Sequence, residues 1–310
     1  MCLCHDDDPY KHYQNELVAA RLLIPSGVRG VFARSGTFEN VIVQFENLVG
    51  RETRALNAEV LRFPPVFNRA HYTRLDHLYN FPDLMGSVHS FMGKDAEHLE
   101  LIRKFEAGEK WTDDLQPTEV MLAPAACYPL YPTASGTTLP DGGRLIDLQS
   151  YVFRHEPSDD PARMQTFRMR EFVRLGTPAQ ALAHRDGWID KASGILRSLG
   201  LDVKPVVAND PFFGRGGRVM KATQREQNLK YELVVPIVSE EKPTAITSCN
   251  YHLDHFGSVF DIKSADGEVA HSACMGFGLE RIALALFKHH GLDPAKWPAS
   301  VRQQLQLDAA

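Results

Sequence analysis

The stretch from Ala270 to Gly291, AHSACMGFGLERIALALFKHHG, constrains the fold of this chain most, because a glycine-punctuated run turns directly into a helix. The helical half carries one apolar face at three- and four-residue spacing, formed by Leu279, Ile282, Ala283, Leu286 and Phe287. Gly291 follows as a C-cap. Arg281 lies in the first turn, where the helix dipole disfavours a cation. This position indicates that a negatively charged group is brought to Arg281, although an arginine on a solvated helix face would give the same pattern.

A second informative stretch, from Tyr151 to Gly176, reads as a β-hairpin. Its first strand is predicted to carry Arg154 and Glu156 on one face, because side chains alternate along a strand. Pro157 to Pro161 predict the turn, and a second strand is expected from Met164 to Val173. That strand is expected to present these side chains on one face: Phe167, Met169 and Glu171. The alternative is an ordinary exposed hairpin with surface ion pairs.

Together the two stretches resemble motifs 2 and 3 of the class II aminoacyl-tRNA synthetases. Phe153 to Glu156, FRHE, matches F-R-x-E, and Gly276 to Arg281, GFGLER, matches G-x-G-x-E-R. The resemblance implies an α+β fold, the class II synthetase catalytic fold, with an antiparallel β-sheet flanked by helices. We expect one catalytic domain over residues 37–310, preceded by an N-terminal tail and lead-in segment over residues 1–36.

The composition is typical of a soluble globular protein. Hydrophobic residues make up 44% and charged residues 24% of the 310 residues, and no apolar run approaches the roughly eighteen residues of a membrane span. A net charge of −5 without lysine- or arginine-rich runs argues against a partner such as tRNA. Five scattered cysteines and no charged-then-apolar leader predict a cytoplasmic protein. Cys2, Cys4 and His5 could bind a metal opportunistically, but a frayed tail is the better interpretation.

An amphipathic helix is predicted to begin with Thr37 as its N-cap. Its apolar stripe is formed by Phe38, Val41, Ile42, Phe45, Leu48 and Val49. An extended segment from Glu59 to Phe63 follows and stops at Pro64. This arrangement resembles motif 1 of the same family, which implies a homodimer. The alternative is a helix packed only on its own core.

Two cysteines replace residues of a seryl-tRNA synthetase pattern. Leu122 to Leu130, LAPAACYPL, resembles the L-x-P-T-A-E-x-P-L segment of those enzymes, with Ala125 and Cys127 in place of the threonine and the glutamate. His271 to Gly276 resembles their H-T-L-N-G-S segment, with Cys274 in place of the asparagine. For either cysteine, the alternative is a small buried hydrophobe.

On the class II fold, both cysteines and Glu171 fall in the amino-acid pocket. Cys127, Glu171 and Cys274 would then supply three ligands to one zinc per subunit, one short of a closed structural site. The catalytic core of the atypical seryl-tRNA synthetases of methanogenic archaea resembles this arrangement, and there zinc captures the amino group of the amino acid. The resemblance thus implies an open zinc position for the substrate.

The segment before the predicted motif 1 helix is too short for the coiled coil that holds tRNA in seryl-tRNA synthetases. A catalytic core with zinc ligands and without a tRNA arm resembles the amino acid:[carrier protein] ligases, over roughly residues 37–300. The implied function has two steps. A small amino acid and ATP form an aminoacyl-adenylate, and the phosphopantetheine thiol of a carrier protein then accepts the aminoacyl group as a thioester.

The resemblance also implies roles for individual residues. Arg154 would neutralise the α-phosphate of ATP, bound with Mg²⁺, while the substrate carboxylate attacks it. Glu156 would read the adenine amino group, and Phe167 and Arg281 would sandwich the ring, with Arg281 also meeting the γ-phosphate. The residues expected to act in catalysis are Arg154, Glu171 and Arg281. Further nucleotide-binding residues are expected at Arg163, Met164, Glu232, Ala245, Ile246, Thr247 and Ser248.

The substrates are less closely defined by the sequence. Glycine or alanine is expected rather than serine, because Ala125 and Cys127 replace the seryl-type residues and because Met275 and Phe277 are bulky neighbours. Basic residues of the GRGGRVMK stretch are expected to contact an acidic carrier protein, although a solvated loop is the alternative: Arg215, Arg218 and Lys221.

Three other functions remain open at this point. The chain could charge tRNA through a separate recruiting partner, could be a synthetase-like paralogue without chemistry, or could hold a structural zinc. Retention of Arg154 and Arg281 favours an enzyme over a paralogue without activity. A fourth protein ligand in the pocket would favour structural zinc.

Overall fold

The computed structural model describes residues 8–210 and 227–309, and in these ranges a seven-stranded sheet and two smaller sheets are surrounded by helices. The strands are β1 Leu23–Pro25, β2 Phe32–Arg34, β3 Glu59–Arg62, β4 Val66–Asn68, β5 Ser87–Ser90, β6 Gln116–Leu122, β7 Arg144–Phe153, β8 Thr166–Gly176, β9 Lys204–Val207, β10 Lys230–Val235, β11 Thr244–Tyr251 and β12 His271–Gly278. The α-helices are α1 Pro9–Ala19, α2 Gly36–Thr53, α3 Arg69–Arg74, α4 His77–Asn80, α5 Asp95–Glu106, α6 Leu130–Thr133, α7 Pro178–Ser198, α8 His255–Phe260, α9 Leu279–His290 and α10 Ala299–Leu305. Short 3-10 helices lie at Arg54–Leu56, Pro82–Leu84, Trp111–Asp114, Pro294–Lys296 and Leu307–Ala309.

The large sheet is antiparallel except at one edge. Its order is β3-β7-β8-β12-β11-β10-β9, and only β3 and β7 are parallel. In the central pair, Glu171 lies opposite Gly276 and Val173 lies opposite Cys274. Directly paired residues point to the same face of a sheet, and so do residues two apart. Glu171, Cys274 and Gly276 therefore share one face, as the alternation predicts.

The opposite face of the sheet is covered by α2, α7 and α9. Phe277 of β12 packs edge-on against Phe45 of α2, with ring centroids 5.3 Å apart, and against Trp188 of α7 at 6.3 Å. Met275 and Phe277 are fully buried on this face. They cannot be the bulky neighbours of the amino-acid pocket that the sequence suggested, because strand alternation turns them away from Cys274.

The motif 1 helix carries the predicted apolar stripe, and each of its six members is buried in α2. Burial of each such side chain contributes roughly 1.5–3 kcal/mol. The predicted N-cap is wrong, since Ser35 and not Thr37 caps the helix by accepting a hydrogen bond from Phe38 N at 3.3 Å. The extended segment that follows is β3.

The predicted hairpin is present, but its connection is longer than the sequence indicated. β7 ends at Phe153 and β8 begins at Thr166, so Arg154 and Glu156 lie in the connection and not on a strand. Arg154 N still donates to Gln165 O at 2.8 Å, but Glu156 N turns back to Arg154 O at 2.7 Å. Pro157 follows and has no N–H with which to continue the ladder.

The segment before α2 packs on the rest of the chain. Tyr13 and Leu17 of α1 are buried, and the Tyr13 hydroxyl donates to Leu284 O of α9 at 2.7 Å. The predicted domain boundary falls at the first residue of α2, and it stays a prediction. None of the helices described is both long and apolar enough to cross a membrane. Several residues singled out from the sequence lie outside the described ranges: Cys2, Cys4, His5, Arg215, Arg218 and Lys221.

Candidate active site

A cavity of about 1070 Å³ opens on the sheet face that carries Glu171 and Gly276. Its walls come from β8, β11, β12, the connection after β7 and the turn after β6. It is lined by most of the residues predicted from the sequence: Cys127, Arg154, Glu156, Arg163, Phe167, Glu171, Glu232, Ala245, Ile246, Thr247, Ser248, Cys274 and Arg281. Met164 is the exception, because its side chain is buried in the hydrophobic core.

Arg281 lies in the first turn of α9 and lines one end of the cleft. Its Nε donates to Ala162 O at 2.7 Å and its Nη1 donates to Ala245 O at 2.9 Å. Burial, together with the charges of Arg154 and Arg163, lowers the pKa of Arg281 to about 10. We call Arg154, Arg163 and Arg281 the arginine cluster. Because their positive charges repel one another, this end of the cleft favours an anion.

The wall beside the arginine cluster is aromatic. Arg154 follows directly on β7, donates from Nε to Pro124 O at 3.0 Å, and places its guanidinium carbon 5.7 Å from the Phe167 ring centroid. Glu156 lies 3.5 Å from Arg163, so a carboxylate is also within reach. An aromatic face beside cations, with a hydrogen-bond acceptor nearby, suits a flat ring that carries phosphate groups.

A buried ion-pair network joins the two motifs and was not predicted from the sequence. Glu280, 1% exposed, accepts from the backbone N–H of Arg168 at 2.7 Å and from its Nε at 2.8 Å. The terminal nitrogens of Arg168 donate to Glu39 of α2 at 2.7 and 2.9 Å. Because Phe167 and Arg281 are the chain neighbours of this pair, the network fixes the aromatic wall relative to the arginine cluster. Strand alternation was the available signal, since it turns Arg168 away from the cleft and into the protein.

Cys127, Glu171 and Cys274, which we call the Cys-Glu-Cys triad, lie together elsewhere in the same cleft. Their sulfur and carboxylate atoms all lie within 4.8 Å of one another, and all three residues are buried. Glu171 Oε1 accepts from the backbone N–H of Ala126 at 2.9 Å and of Cys127 at 3.3 Å. The carboxylate therefore holds the turn after β6 against the sheet. Glu171 is four residues from Phe167 along β8, which corresponds to about 13 Å.

The electrostatics of the triad favour a cation. Burial raises the pKa of Glu171 to about 8, and negative charge on Cys274 acts in the same direction. The Cys127 thiol donates to the Cys274 sulfur, which lowers the pKa of Cys274 and raises the pKa of Cys127. Ionised together, three buried acidic groups repel one another. A bound cation would remove that repulsion.

The donor atoms of the triad are compatible with a metal, and their chemistry fits zinc. Two sulfurs and one carboxylate oxygen suit zinc, whereas magnesium and calcium prefer oxygen alone. Within the described ranges, the group of mutually close His, Cys, Asp and Glu atoms comprises these three residues and does not extend to a fourth. His252 comes near, with Nε2 3.5 Å from Cys274 Sγ. The arrangement matches an open site with three protein ligands better than a closed structural site.

Aromatic side chains that the sequence did not reveal enclose the triad. Tyr128 and Phe256 line the cleft, and Tyr131 stacks on Phe256 with ring centroids 3.6 Å apart. Gly276 leaves room beside Glu171, because a Cβ there would meet Glu171 Cγ at 3.3 Å. Phe256 comes from α8, a short helix with no motif, so only the tertiary structure brings it to the site.

Cys249 is separate from the triad. It pairs with Met275 and is 0% exposed on the helix-covered face of the sheet, so its sulfur does not line the cleft. Its burial on that face makes it a core residue, and it provides an internal comparison for the two cleft cysteines.

Sequence and structure comparisons relate this chain to known proteins. No protein-family model matches the chain. The chain is 45% identical over 301 residues to amino acid--[acyl-carrier-protein] ligase 2 of Bradyrhizobium diazoefficiens, a match that covers 97% of this chain and 88% of that protein.

Two solved structures show the fold. The M. kandleri seryl-tRNA synthetase, in complex with A. aeolicus tRNASec, matches with a TM-score of 0.81 and 23% identity over 96% of this chain and 60% of that one. The Pyrococcus horikoshii seryl-tRNA synthetase, complexed with ATP, matches with a TM-score of 0.69 and 13% identity over 94% of this chain and 62% of that one. The prediction of the class II catalytic fold is therefore confirmed. Identity of 45% over nearly the whole chain shows further that the protein belongs to the family of amino acid--[acyl-carrier-protein] ligases.

Proposed function

We propose that this protein uses ATP to activate glycine or alanine and then transfers the aminoacyl group to the phosphopantetheine thiol of an acyl or peptidyl carrier protein. The observation that carries the proposal is the presence of the arginine cluster and the Cys-Glu-Cys triad in one cleft. Glu171 and Phe167 are about 13 Å apart along β8, a span that an aminoacyl-adenylate can bridge. The ligase relative and the ATP-bound neighbour support the same assignment.

In the first step, a carboxylate oxygen of the amino acid forms a bond to the α-phosphorus of ATP, and the bond to the departing pyrophosphate breaks. Arg154 would stabilise the charge that develops on the α-phosphate, and Arg281 would hold the remaining phosphates, which Mg²⁺ accompanies. Phe167 would stack on adenine, while Glu156 accepts from the adenine amino group. The nucleotide would also contact Arg163, Glu232 and the backbone of residues 245–248, all of which line the cleft. Met164, next to Arg163, is buried in the core and does not line the cleft.

The triad would hold one zinc per chain through Cys127, Glu171 and Cys274. Zinc, when bound, supplies a Lewis acid for the neutral amino group of the substrate. Glu171 has a second task that needs no metal, because its Oε1 keeps the turn after β6 in place. Tyr128 and Phe256 would leave space for a small side chain, which is why glycine or alanine is proposed.

In the second step, the phosphopantetheine sulfur bonds to the carbonyl carbon, the mixed anhydride bond to phosphate breaks, and AMP leaves. The thiol proton passes to solvent or to the leaving phosphate. We propose a carrier protein and not tRNA as the acceptor. A relative that matches almost the whole chain is a carrier-protein ligase by name.

We also infer that the protein works as a homodimer in the cytoplasm. β3 is the terminal strand of the large sheet, and its Val60 is 63% exposed, which leaves an open edge beside the motif 1 helix. The three cysteines within the described ranges are buried and form no disulfide, which suits a reducing compartment. Light scattering during gel filtration should give twice the monomer mass, and a monomer at all concentrations would contradict the dimer.

The test of activation is exchange of labelled pyrophosphate into ATP, measured separately with glycine, alanine and serine. We expect exchange with glycine or alanine and weak exchange with serine. A complete lack of exchange with all small amino acids would contradict the proposed activation and favour a paralogue without chemistry.

The test of the acceptor offers bulk tRNA and a phosphopantetheinylated carrier protein in parallel to the enzyme with labelled amino acid. Label is expected on the carrier alone, and hydroxylamine should release it, as expected for a thioester. Unphosphopantetheinylated carrier is the matched control. Label on tRNA would instead identify a tRNA-charging enzyme.

A further inference from the structure

Two nitrogen-bearing side chains approach the sulfur of Cys274 from outside the triad. Asn250 of β11 pairs directly with Cys274 of β12, and its Nδ2 donates to Cys274 Sγ at 3.4 Å. His252 lies two residues further on and brings Nε2 to 3.5 Å from the same sulfur. The period of two along an extended chain explains why both reach the same side of the sheet. One sulfur thus has two neighbours that can donate an N–H.

The position of His252 is fixed by pairing that continues past the end of β11. His252 N donates to Ser272 O at 2.9 Å, and Ser272 N donates to Leu253 O at 3.0 Å. The imidazole Nδ1 lies 3.0 Å from Ser272 Oγ, and the ring packs edge-on against Phe256 at 5.1 Å. A Ser272 hydroxyl that donates to Nδ1 leaves the ring proton on Nε2, where it faces the sulfur.

The three members of the triad are supported in different ways. Glu171 accepts two backbone N–H groups. Cys127 shares hydrogen bonds with the other two members of the triad. Cys274 is the member approached by side-chain N–H groups from another strand. Such groups orient a metal ligand and draw charge from its donor atom. A sulfur that donates less charge leaves the metal more electrophilic towards an amine.

We propose that His252 and Asn250 are positioning residues of the metal centre, which orient the Cys274 sulfur and limit its electron donation so that the metal binds the substrate amine. This inference depends on the metal site of the proposed function. It assigns two residues that neither motif pointed to and that bind neither nucleotide nor metal themselves.

A different role for His252 would be that of a fourth ligand. Two adjacent ligands of a tetrahedral zinc, one sulfur and one nitrogen, lie about 3.5 Å apart, given bond lengths of about 2.3 and 2.0–2.1 Å. The distance to Cys274 alone therefore does not separate the two roles. Among the described residues, however, the group of mutually close ligand atoms does not include His252. The experiment below distinguishes the roles directly.

The experiment compares the whole protein with His252→Leu, His252→Gln and Asn250→Leu, each loaded with zinc or cobalt(II). His252→Gln keeps an N–H donor near the position of Nε2, and His252→Leu removes it. Tyr251→Phe, on the same strand, is the matched control, because the hydroxyl that it removes bonds to His271 and not to the Cys274 sulfur. The measurements are metal affinity by chelator competition, the sulfur-to-cobalt charge-transfer band, the cobalt d–d bands, and KM for the amino acid and for ATP.

For each leucine variant we expect metal affinity to fall about 10- to 100-fold. The charge-transfer band should shift to lower energy, while unchanged d–d bands should indicate that the ligand set is the same. KM for the amino acid should rise and KM for ATP should not change. His252→Gln should restore most of the affinity and the band position, and Tyr251→Phe should match the unaltered protein.

Unchanged affinity and an unchanged band in both leucine variants would overturn the inference. So would loss of metal in both His252 variants with altered d–d bands, because that result identifies His252 as a fourth ligand. If His252→Leu does not fold, as judged by thermal unfolding without metal, Asn250→Leu carries the test. If the unaltered protein binds no metal, the proposed metal site is wrong as well. If the variants bind metal with unchanged affinity and an unchanged band, only this inference is wrong.

Discussion

The two ends of the cleft differ in charge and in how they are encoded. The arginine cluster is positively charged. Arg154 and Arg281 lie on two short sequence motifs and donate to backbone carbonyls, whereas Arg163 lies in the connection after β7, near the Glu156 carboxylate. The Cys-Glu-Cys triad is acidic and buried, and its members come from the turn after β6, from β8 and from β12. One end can attract phosphates and the other a metal ion. In the proposed function, activation of the amino acid uses both surfaces, and their separation along the cleft keeps their charges from neutralising each other.

The largest expected effect is loss of the acidic end. Cys274→Ala should lose zinc and lower amino-acid-dependent pyrophosphate exchange more than about 10³-fold, because two remaining ligands hold zinc poorly. Metal analysis and the exchange assay measure both. Cys249→Ala is the control, since that cysteine is buried on the other side of the sheet. Full activity in a zinc-free Cys274→Ala protein would mean that the cleft cysteines are only core residues.

Removing a charge from the arginine cluster should reduce activity less and should leave the metal in place. Arg281→Ala is expected to reduce exchange about 10²- to 10³-fold, or roughly 2.7–4 kcal/mol of transition-state stabilisation. Zinc content should remain that of the unaltered protein, because Arg281 contacts Ala162 and Ala245 and not the triad. Steady-state exchange rates and metal analysis of the same sample decide this. Joint loss of zinc and activity would show that the two ends are not independent.

Acid should destabilise the protein through buried histidines on both sides of the sheet. His77 lines the cleft, and its burial, assisted by the positive charge of Arg154, lowers its pKa to about 4. Burial also lowers the pKa of His184 to about 4; its Nε2 lies 2.9 Å from Phe172 O. Below about pH 6.5 each of these histidines binds a proton in the unfolded chain but stays neutral in the folded chain. The free energy of unfolding is therefore highest above pH 6.5 and falls towards pH 4.

Each of these histidines should contribute about 3 kcal/mol at most to that loss. Urea unfolding at pH 7 and pH 4.5 measures it. His184→Gln should flatten the pH dependence without changing the nucleotide end, and His77→Gln should flatten it by a similar amount. Equal acid sensitivity in both variants and in the unaltered protein would show that these histidines are not the cause.

The smallest effect is expected from a substitution that narrows the space beside the Cys-Glu-Cys triad. Gly276→Ala would place a Cβ 3.3 Å from Glu171 Cγ, so Glu171 must shift by a few tenths of an ångström. We expect KM for the amino acid to rise less than about tenfold, more for alanine than for glycine, with KM for ATP unchanged. A larger effect on ATP than on the amino acid would place Gly276 at the nucleotide.

Much of the arginine cluster could be predicted, because Arg154 and Arg281 each lie in a motif whose residues are close together in the sequence. Helix α9 and its Arg281 followed from apolar spacing, and the hairpin followed from strand alternation, although its connection proved longer because Pro157 cannot continue the ladder. Local propensity and periodicity act over a few residues, so they report on features of that length. The Arg168–Glu280 pair escaped notice because 112 residues separate its members.

The sequence by itself determined which chemical groups this protein can use and, through resemblance, the fold that carries them. Only the tertiary structure decided which groups meet. Cys127 and Cys274 share a site because Glu171 of β8 holds the turn after β6 beside β12, while Cys249, one strand position out of phase, faces the opposite side. His252 and Asn250 reach Cys274 through strand pairing, and Met275 and Phe277 turn away from it for the same reason. The physical cause is the two-residue period of the strand, which places neighbours in the chain on opposite faces and lets strand register bring distant residues together.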